Sequence, residues 1–211
     1  MPFDFKKEYK DLYQPKALPS IVTVPAAGFL AVDGEGDPNE EGGAYQQAVS
    51  QLYAVAYALK MSDRAGYVME GFFPYVVPPL EGFWRQGEMD GTVDYSRKAD
   101  FRWTSVLRLP DFVTAADVAW AVETAEKKKK LDCSAVKLRT IDEGLCVQML
   151  HLGPYDSEPQ TIAAMEAFAA ERGFLPDCSA ERLHHEIYLS DPRKSPPEKW
   201  RTVIRHPIRN A

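Results

Sequence analysis

With 211 residues, 45% of them hydrophobic and 27% charged, the chain has the composition of an ordinary globular protein, long enough for one large domain or two small ones sharing an interface. A formal net charge of -6 argues against direct binding of nucleic acid, which needs clustered Lys and Arg to meet phosphate. The three cysteines, Cys133, Cys146 and Cys178, are widely spaced and odd in number, which excludes a disulfide framework or a paired zinc knuckle and fits a reducing cytoplasm.

No apolar leader opens the chain and no later run reaches the length of a membrane span, so no membrane partner is expected. Residues 1–19 read as an ordered arm held to the body by Phe3, Phe5, Tyr9 and Tyr13. Ile21 to Val32 reads as a long strand, bent or interrupted at Pro25 and Gly28, running into Asp33-Gly-Glu-Gly-Asp-Pro38. That Gly-x-Gly lacks the third glycine and the Lys-Ser/Thr of phosphate loops, and its carboxylates repel phosphate.

Tyr45, Ala48, Val49, Leu52, Ala56 and Leu59 recur at helical spacing within 43–60, so one face of a helix there packs on a sheet. Tyr67 to Val77 reads as an aromatic strand broken by Pro78-Pro79, with a loop or hairpin reaching Asp100. Arg102 to Leu109 returns as a strand with Trp103, Ser105, Leu107 and Leu109 on one face. Thr114-Ala-Ala-Asp117 has capping-box spacing and opens a helix over 114–130, whose closing lysines, Lys127 to Lys130, suit the C-terminal dipole. Val136 to His151 reads as a strand pair or one long bent strand with its turn at Ile141 to Gly144, and Ser157-Glu-Pro-Gln160 as a second capping box on a helix that stops at Gly173. The Arg182 to Pro192 strand and a last strand from Trp200 to Ile208 complete the order.

The two halves match. Ser105-Val-Leu-Arg-Leu-Pro110 parallels Thr202-Val-Ile-Arg-His-Pro207, and Gly28 parallels Gly144. The glycines are 116 residues apart and the strand starts 97, so the first copy carries 19 more residues, which we place at Leu80 to Asp100. The expected fold is α+β: two pseudo-symmetric strand-helix-strand-strand modules, 20–110 and 134–208, with antiparallel sheets and a central cleft, joined by the 114–130 helix.

Alternation in 182–192 places Leu183, His185, Ile187 and Leu189 on one face and His184, Glu186, Tyr188 and Ser190 on the other. The second face suits the wall of a ligand cavity; a half-solvated strand has the same pattern. Glu186 is the first candidate, because desolvation at a cavity wall favours a general base or cation binder. Tyr188 lies on the same face. Glu81 and Trp84, lifted off the sheet by the Pro-Pro break, are expected to roof the site, and Trp103 and Tyr155 to add an aromatic wall. No HExxH or His-x-His spacing joins His151, His184, His185 and His206, so neither a metal nor another cofactor is expected. Ser190, His151 and Asp191 lack a nucleophile elbow, and Cys146 lacks a partner.

With Gly28 to Pro38, Leu150-His-Leu-Gly-Pro-Tyr155, His185 to Pro192 and the Thr-Val-Ile-Arg strand together, the chain resembles the GyrI-like small-molecule-binding superfamily over 20–208. The resemblance implies a single domain of two such modules with a glutamate matching Glu186 at the cleft floor, facing aromatic, often cationic ligands. The arm and Pro79-Leu-Glu-Gly-Phe-Trp84 resemble the stand-alone branch, some members of which hydrolyse cyclopropane-bearing DNA-alkylating compounds without a cofactor. Binding in xenobiotic protection, such a hydrolase (with Glu186 and Tyr155 catalytic, and Glu81, Trp84, Trp103 and Tyr188 contacting ligand) and, by family analogy alone, inhibitory contact with DNA gyrase are the functions implied. The sequence leaves the oligomeric state open.

Overall fold

A computed structural model describes residues 1–87 and 96–211. Part of the expected 80–100 loop, residues 88–95, therefore lies outside the described residues. The strands are β1 (Ser20–Val24), β2 (Ala27–Glu35), β3 (Glu81–Gln86), β4 (Phe101–Arg108), β5 (Lys137–Ile141), β6 (Gly144–Leu152), β7 (Phe174–Pro176), β8 (His184–Tyr188) and β9 (Arg201–Asn210). The helices are α1 (Phe5–Glu8), α2 (Lys10–Tyr13), α3 (Ala44–Lys60), α4 (Ala115–Lys129) and α5 (Glu158–Ala170).

One antiparallel sheet runs β1-β6-β9-β8-β3-β4-β2-β5, with β7 added on β9. In the first half β4 lies between β2 and β3, and in the second β9 lies between β6 and β8, so both halves pair in the same order. They join where β3 pairs with β8, with Gly82 opposite Glu186 and Trp84 opposite His184. The two remaining strands cross over: β1 pairs with β6 of the second half, and β5 pairs with β2 of the first.

Strand alternation divides the sheet's side chains between two layers. Leu30, Val32, Trp103 and Leu107 face α3 through Leu52, Val55, Ala56 and Leu59, with Val118, Ala121 and Ala125 of α4 in the same core. Val147 and Ile204 face Met165 and Ala169 of α5. The arm covers the other face, as the aromatic spacing in 1–19 leads one to expect: Phe5 and Tyr13 are buried against Val24, Ile187 and Val203. Arg108 lies over the ring of Tyr9 at 4.4 Å.

Several local expectations hold. α4 opens on a reciprocal capping box between Thr114 and Asp117, and its last turn carries Lys127, Lys128 and Lys129. The strand over 21–32 is interrupted at Pro25, as expected, because Pro25 has no N–H for the ladder and the chain there leaves β6 for β4, and it is continuous through Gly28. Others are corrected. Tyr67 to Val77 is not a strand; among the described residues its one ladder-like contact is a bridge from Tyr75 to Phe3, and Phe72, Phe73 and Tyr75 instead pack as a loop around Phe112. Ser157 makes no capping bond, and its hydroxyl donates to the Pro154 carbonyl at 2.7 Å. Much of the extra length in the first half precedes β3 rather than following Leu80: α3 has 17 residues against 13 in α5, and the link to β3 spans 61–80 against 171–183 in the second half.

Glu81 and Trp84 are not lifted off the sheet. They belong to β3, a central strand paired on both sides, with Glu81 opposite Val106 and Ile187. A carboxylate is tolerated there because Tyr13 donates to Glu81 Oε1 at 2.7 Å and His185 Nε2 lies 3.0 Å from Oε2. His185 Nδ1 and Arg205 in turn sit 2.8 Å from the two oxygens of Glu143. Arg205 also donates to Gln148 and to the Leu12 carbonyl, tying the arm to the sheet. Burial pushes the Glu143 carboxyl up, but His185 and Arg205 outweigh it and hold Glu143 at about 2.

Candidate functional site

The helix-side face of β3 and β8 lies at the central ladder where the two halves join. Glu186 stands at its centre, with Gly82 beside it on β3 and Ile204 on β9. Gly82 carries no side chain, which leaves room over the sheet for two aromatic groups. A Cβ on Gly82 would come within 2.6 Å of Trp84 Nε1 and 3.0 Å of the Tyr188 hydroxyl. Those two groups are bonded to each other, Trp84 Nε1 donating to Tyr188 Oη at 2.8 Å. Gly82→Ala is expected to break that bond and weaken binding of a flat aromatic dye roughly 5–10-fold, the worth of one buried hydrogen bond. Titration by tryptophan fluorescence checks it, with the far-UV circular dichroism unchanged.

The ring of Tyr45, from the first turn of α3, lies 5.5 Å from Trp84 and 5.1 Å from Trp103. Tyr155, in the short turn before α5, meets Tyr188 edge-on at 5.9 Å and Trp200 at 4.9 Å. Desolvation, and after it the negative charge of Glu186, pushes the Tyr155 and Tyr188 hydroxyls well above their ordinary range, so both keep their protons at neutral pH. The Tyr45 hydroxyl is raised too, chiefly by burial.

Glu186 is 12% exposed and has a histidine partner, His184 Nε2, 2.8 Å from its Oε1. His184 Nδ1 lies 2.6 Å from Nε2 of His206. Burial and the neighbouring His184 push His206 down to about 3, so it is neutral at ordinary pH. Glu158, the first residue of α5, is 1% exposed, and its Oε1 has no hydrogen-bond partner among the described residues. Desolvation first, and then Glu186, raise the Glu158 carboxyl well above the ordinary range. One atom each of Glu158, His184 and Glu186 lie within 4.8 Å of one another, a spacing that also suits a cation. Both His184 nitrogens are already engaged, so the three form a hydrogen-bonded cluster without a free imidazole lone pair.

Of the residues singled out in the sequence, Glu186, Tyr188, Trp84 and Tyr155 converge. Trp103 lies one ring behind, against Tyr45 and over Gly34. Glu81 does not join them; it points into the arm-side network. Glu158 and Tyr45 are the residues that sequence reasoning missed: one stood in an assumed capping box, the other on an assumed packing stripe. Aromatic side chains fill most of the expected cleft. An open groove of about 360 Å³ lies elsewhere, lined by Asp33, Glu35, Phe83, Arg85, Arg102 and Leu183.

The model of the GyrI-like small molecule binding domain matches residues 18–209. The chain belongs to the GyrI-like family. Its α+β architecture with one large antiparallel sheet is that family's fold. Two solved structures from Listeria innocua resemble this GyrI-like chain along its length. One, described as a hydrolase, is 47% identical with a TM-score of 0.89, covering 98% of this chain and 100% of its own. The other, an uncharacterized conserved protein, is 49% identical with a TM-score of 0.91 over the same shares. The EcmrR C-terminal domain, 13% identical with a TM-score of 0.53 over 92% of this chain and 98% of its own, shares the fold. No curated protein sequence matches the GyrI-like chain significantly. Among the described residues no helix is long and apolar enough to cross a membrane.

Proposed function

We propose that this chain binds flat, electrophilic aromatic molecules between Trp84, Tyr155 and Tyr188 and adds water to them, with Glu186 as the base. The observation that carries the reading is a carboxylate, Glu186, largely withdrawn from solvent, beside two phenols that hold their protons and a second carboxyl that holds its own. A relative at 47% identity described as a hydrolase supports chemistry over binding alone.

A strained cyclopropane conjugated to a dienone, the substrate class that the stand-alone branch implies, fits this site. The water oxygen bonds to the ring carbon while its proton passes to Glu186. The strained C–C bond breaks, and its electron pair moves through the conjugated system to the carbonyl oxygen. Tyr155 protonates that oxygen as it becomes a phenol, since the Tyr188 hydroxyl accepts from Trp84 and is hydrogen-bonded to Glu186. The Tyr155 phenolate then recovers its proton from Glu186, so one water is added and no cofactor is consumed.

Incubation with a cyclopropanoid electrophile, followed by mass spectrometry, is expected to show product heavier by one water and formed at a rate proportional to enzyme. Tight binding without that product would leave the second reading, sequestration in a reducing cytoplasm, which the small-molecule-binding family supports in its own right.

A further inference from the structure

We infer that the open groove over Phe83 is a second binding site, one for a flat aromatic carboxylate whose anionic end rests on Arg85 and Arg102. It lies on the opposite face of the sheet from Glu186 and does not depend on the hydrolytic reading above.

Alternation along β3 places it. Glu81 points into the network beneath the arm, so Phe83 and Arg85, two and four residues on, share that face, while Trp84 between them turns to the helix side. The register carries the same face across the neighbouring strands. Phe83 stands opposite Thr104 and Thr104 opposite Asp33, and in the next row Arg85 stands opposite Arg102 and Arg102 opposite Glu35. Among the described residues the groove is lined from β2, β3, β4 and Leu183 just before β8, and none comes from the arm or from a helix. The arm instead buries Val24, Ile187 and Val203. It leaves a trough of about 360 Å³ with Phe83 and Leu183 as its apolar part, a volume within the range of small-molecule sites.

Its charges select an anion. Two guanidinium groups directly opposite each other on adjacent strands repel, which is unfavourable unless a negative group lies between them. Glu35 answers only one of them, with its Oε2 3.6 Å from Arg102 Nε. Asp33 does not answer the other, because Arg139 holds it and it accepts from Thr104 Oγ1 at 2.6 Å. Arg85 is half-buried and has no hydrogen-bond or ion-pair partner among the described residues, a state that costs free energy until an anion arrives. With Lys137 and Arg139 of β5, this end of the four strands carries four cations against Asp33 and Glu35, on a chain whose net charge is -6. A carboxylate offers two oxygens to the two guanidinium forks. The flat ring attached to it lies against Phe83, whose own ring is fixed by its stack on His185 at 4.0 Å and needs no reordering.

Calorimetric titration with naphthalene-2-carboxylate, and with its uncharged counterpart naphthalene-2-methanol, tests the site. The carboxylate is expected to bind wild type at least about tenfold more tightly than the alcohol, and several-fold more weakly as salt rises from about 50 to about 500 mM. Arg85→Gln and Arg102→Gln each remove one charge-assisted contact and are expected to weaken the carboxylate about tenfold while leaving the alcohol unchanged. Leu183→Glu sets a like charge on the rim and is expected to abolish binding of the anion. None of the three positions is fully buried, so melting temperatures should stay near wild type; Arg102, with 61% of its side chain exposed, carries the least risk to the fold. No binding by wild type, equal affinity for acid and alcohol, or wild-type affinity in either arginine variant overturns the inference. So does carboxylate binding that is lost in Trp84→Phe and kept in both arginine variants, since that places the anion in the aromatic cleft instead.

Discussion

Glu186→Gln is expected to lower kcat by about 10²–10⁴, the range that general-base catalysis contributes, while aromatic ligands still bind. Glutamine keeps the shape of the side chain and an oxygen for His184 Nε2, so the cluster on β8 stays in place. It has no carboxylate to accept the proton of water. The loss therefore falls on the chemical step: single-turnover rates drop, and quenching of tryptophan fluorescence by ligand persists through Trp84 and its bond to Tyr188. A rate within a few-fold of wild type would make the proposed base wrong.

Arg205→Met is expected to destabilise the protein by about 3–5 kcal/mol, the usual cost of removing one partner of a buried ion pair. Arg205 is buried with its guanidinium on Glu143, Gln148 and the Leu12 carbonyl, so its loss leaves a buried carboxylate and two acceptors short of donors. For a chain of this length the melting temperature should fall on the order of 10 °C, read by calorimetry. Pairing it with Glu143→Leu removes one charge of each sign, leaves His185 facing Glu81, and should recover part of the loss. The two variants also differ from wild type in acid. Glu143 is held at about 2 against an ordinary value of 4.5, so its contribution is complete above pH 4.5 and is lost as pH falls through that window. Without Arg205 the depression is smaller, and the loss of stability between pH 4.5 and 2 should be shallower. A variant as stable as wild type, with the same acid limb, would show that the network carries none of this energy.

Much of the architecture was legible because it rests on periodicity. The stripe Ala48, Leu52, Ala56 and Leu59, the Thr114 and Asp117 cap, and the alternation through His184, Glu186 and Tyr188 are local patterns, and the structure follows each. The paired Ser105 and Thr202 strands likewise occupy equivalent places in the sheet. What escaped was set by partners distant in sequence. Glu81 looked like a loop residue because a carboxylate after two prolines has no local reason to be buried; its reasons are Tyr13 and His185, 68 residues before it in one case and on a neighbouring strand in the other. His185 passed for part of an apolar face because Glu143 and Arg205 reach it only once the sheet has formed. Glu158 occupied a position where helix starts favour acids, so nothing local separated a dipole partner from a group aimed into the site.

The exchanged strands govern how a ligand gets in. For the halves to swing apart, β1 would have to peel from β6 and β5 from β2, and the central β3–β8 ladder would have to part as well. Losing three rows of backbone hydrogen bonds at once is too costly for a routine hinge. On the proposed reading, a ligand would reach Glu186 by rotation of side chains such as Tyr45, in the first turn of α3, and Tyr155, in the turn before α5, so the entry rate should follow the size of those rings rather than the stability of the whole protein.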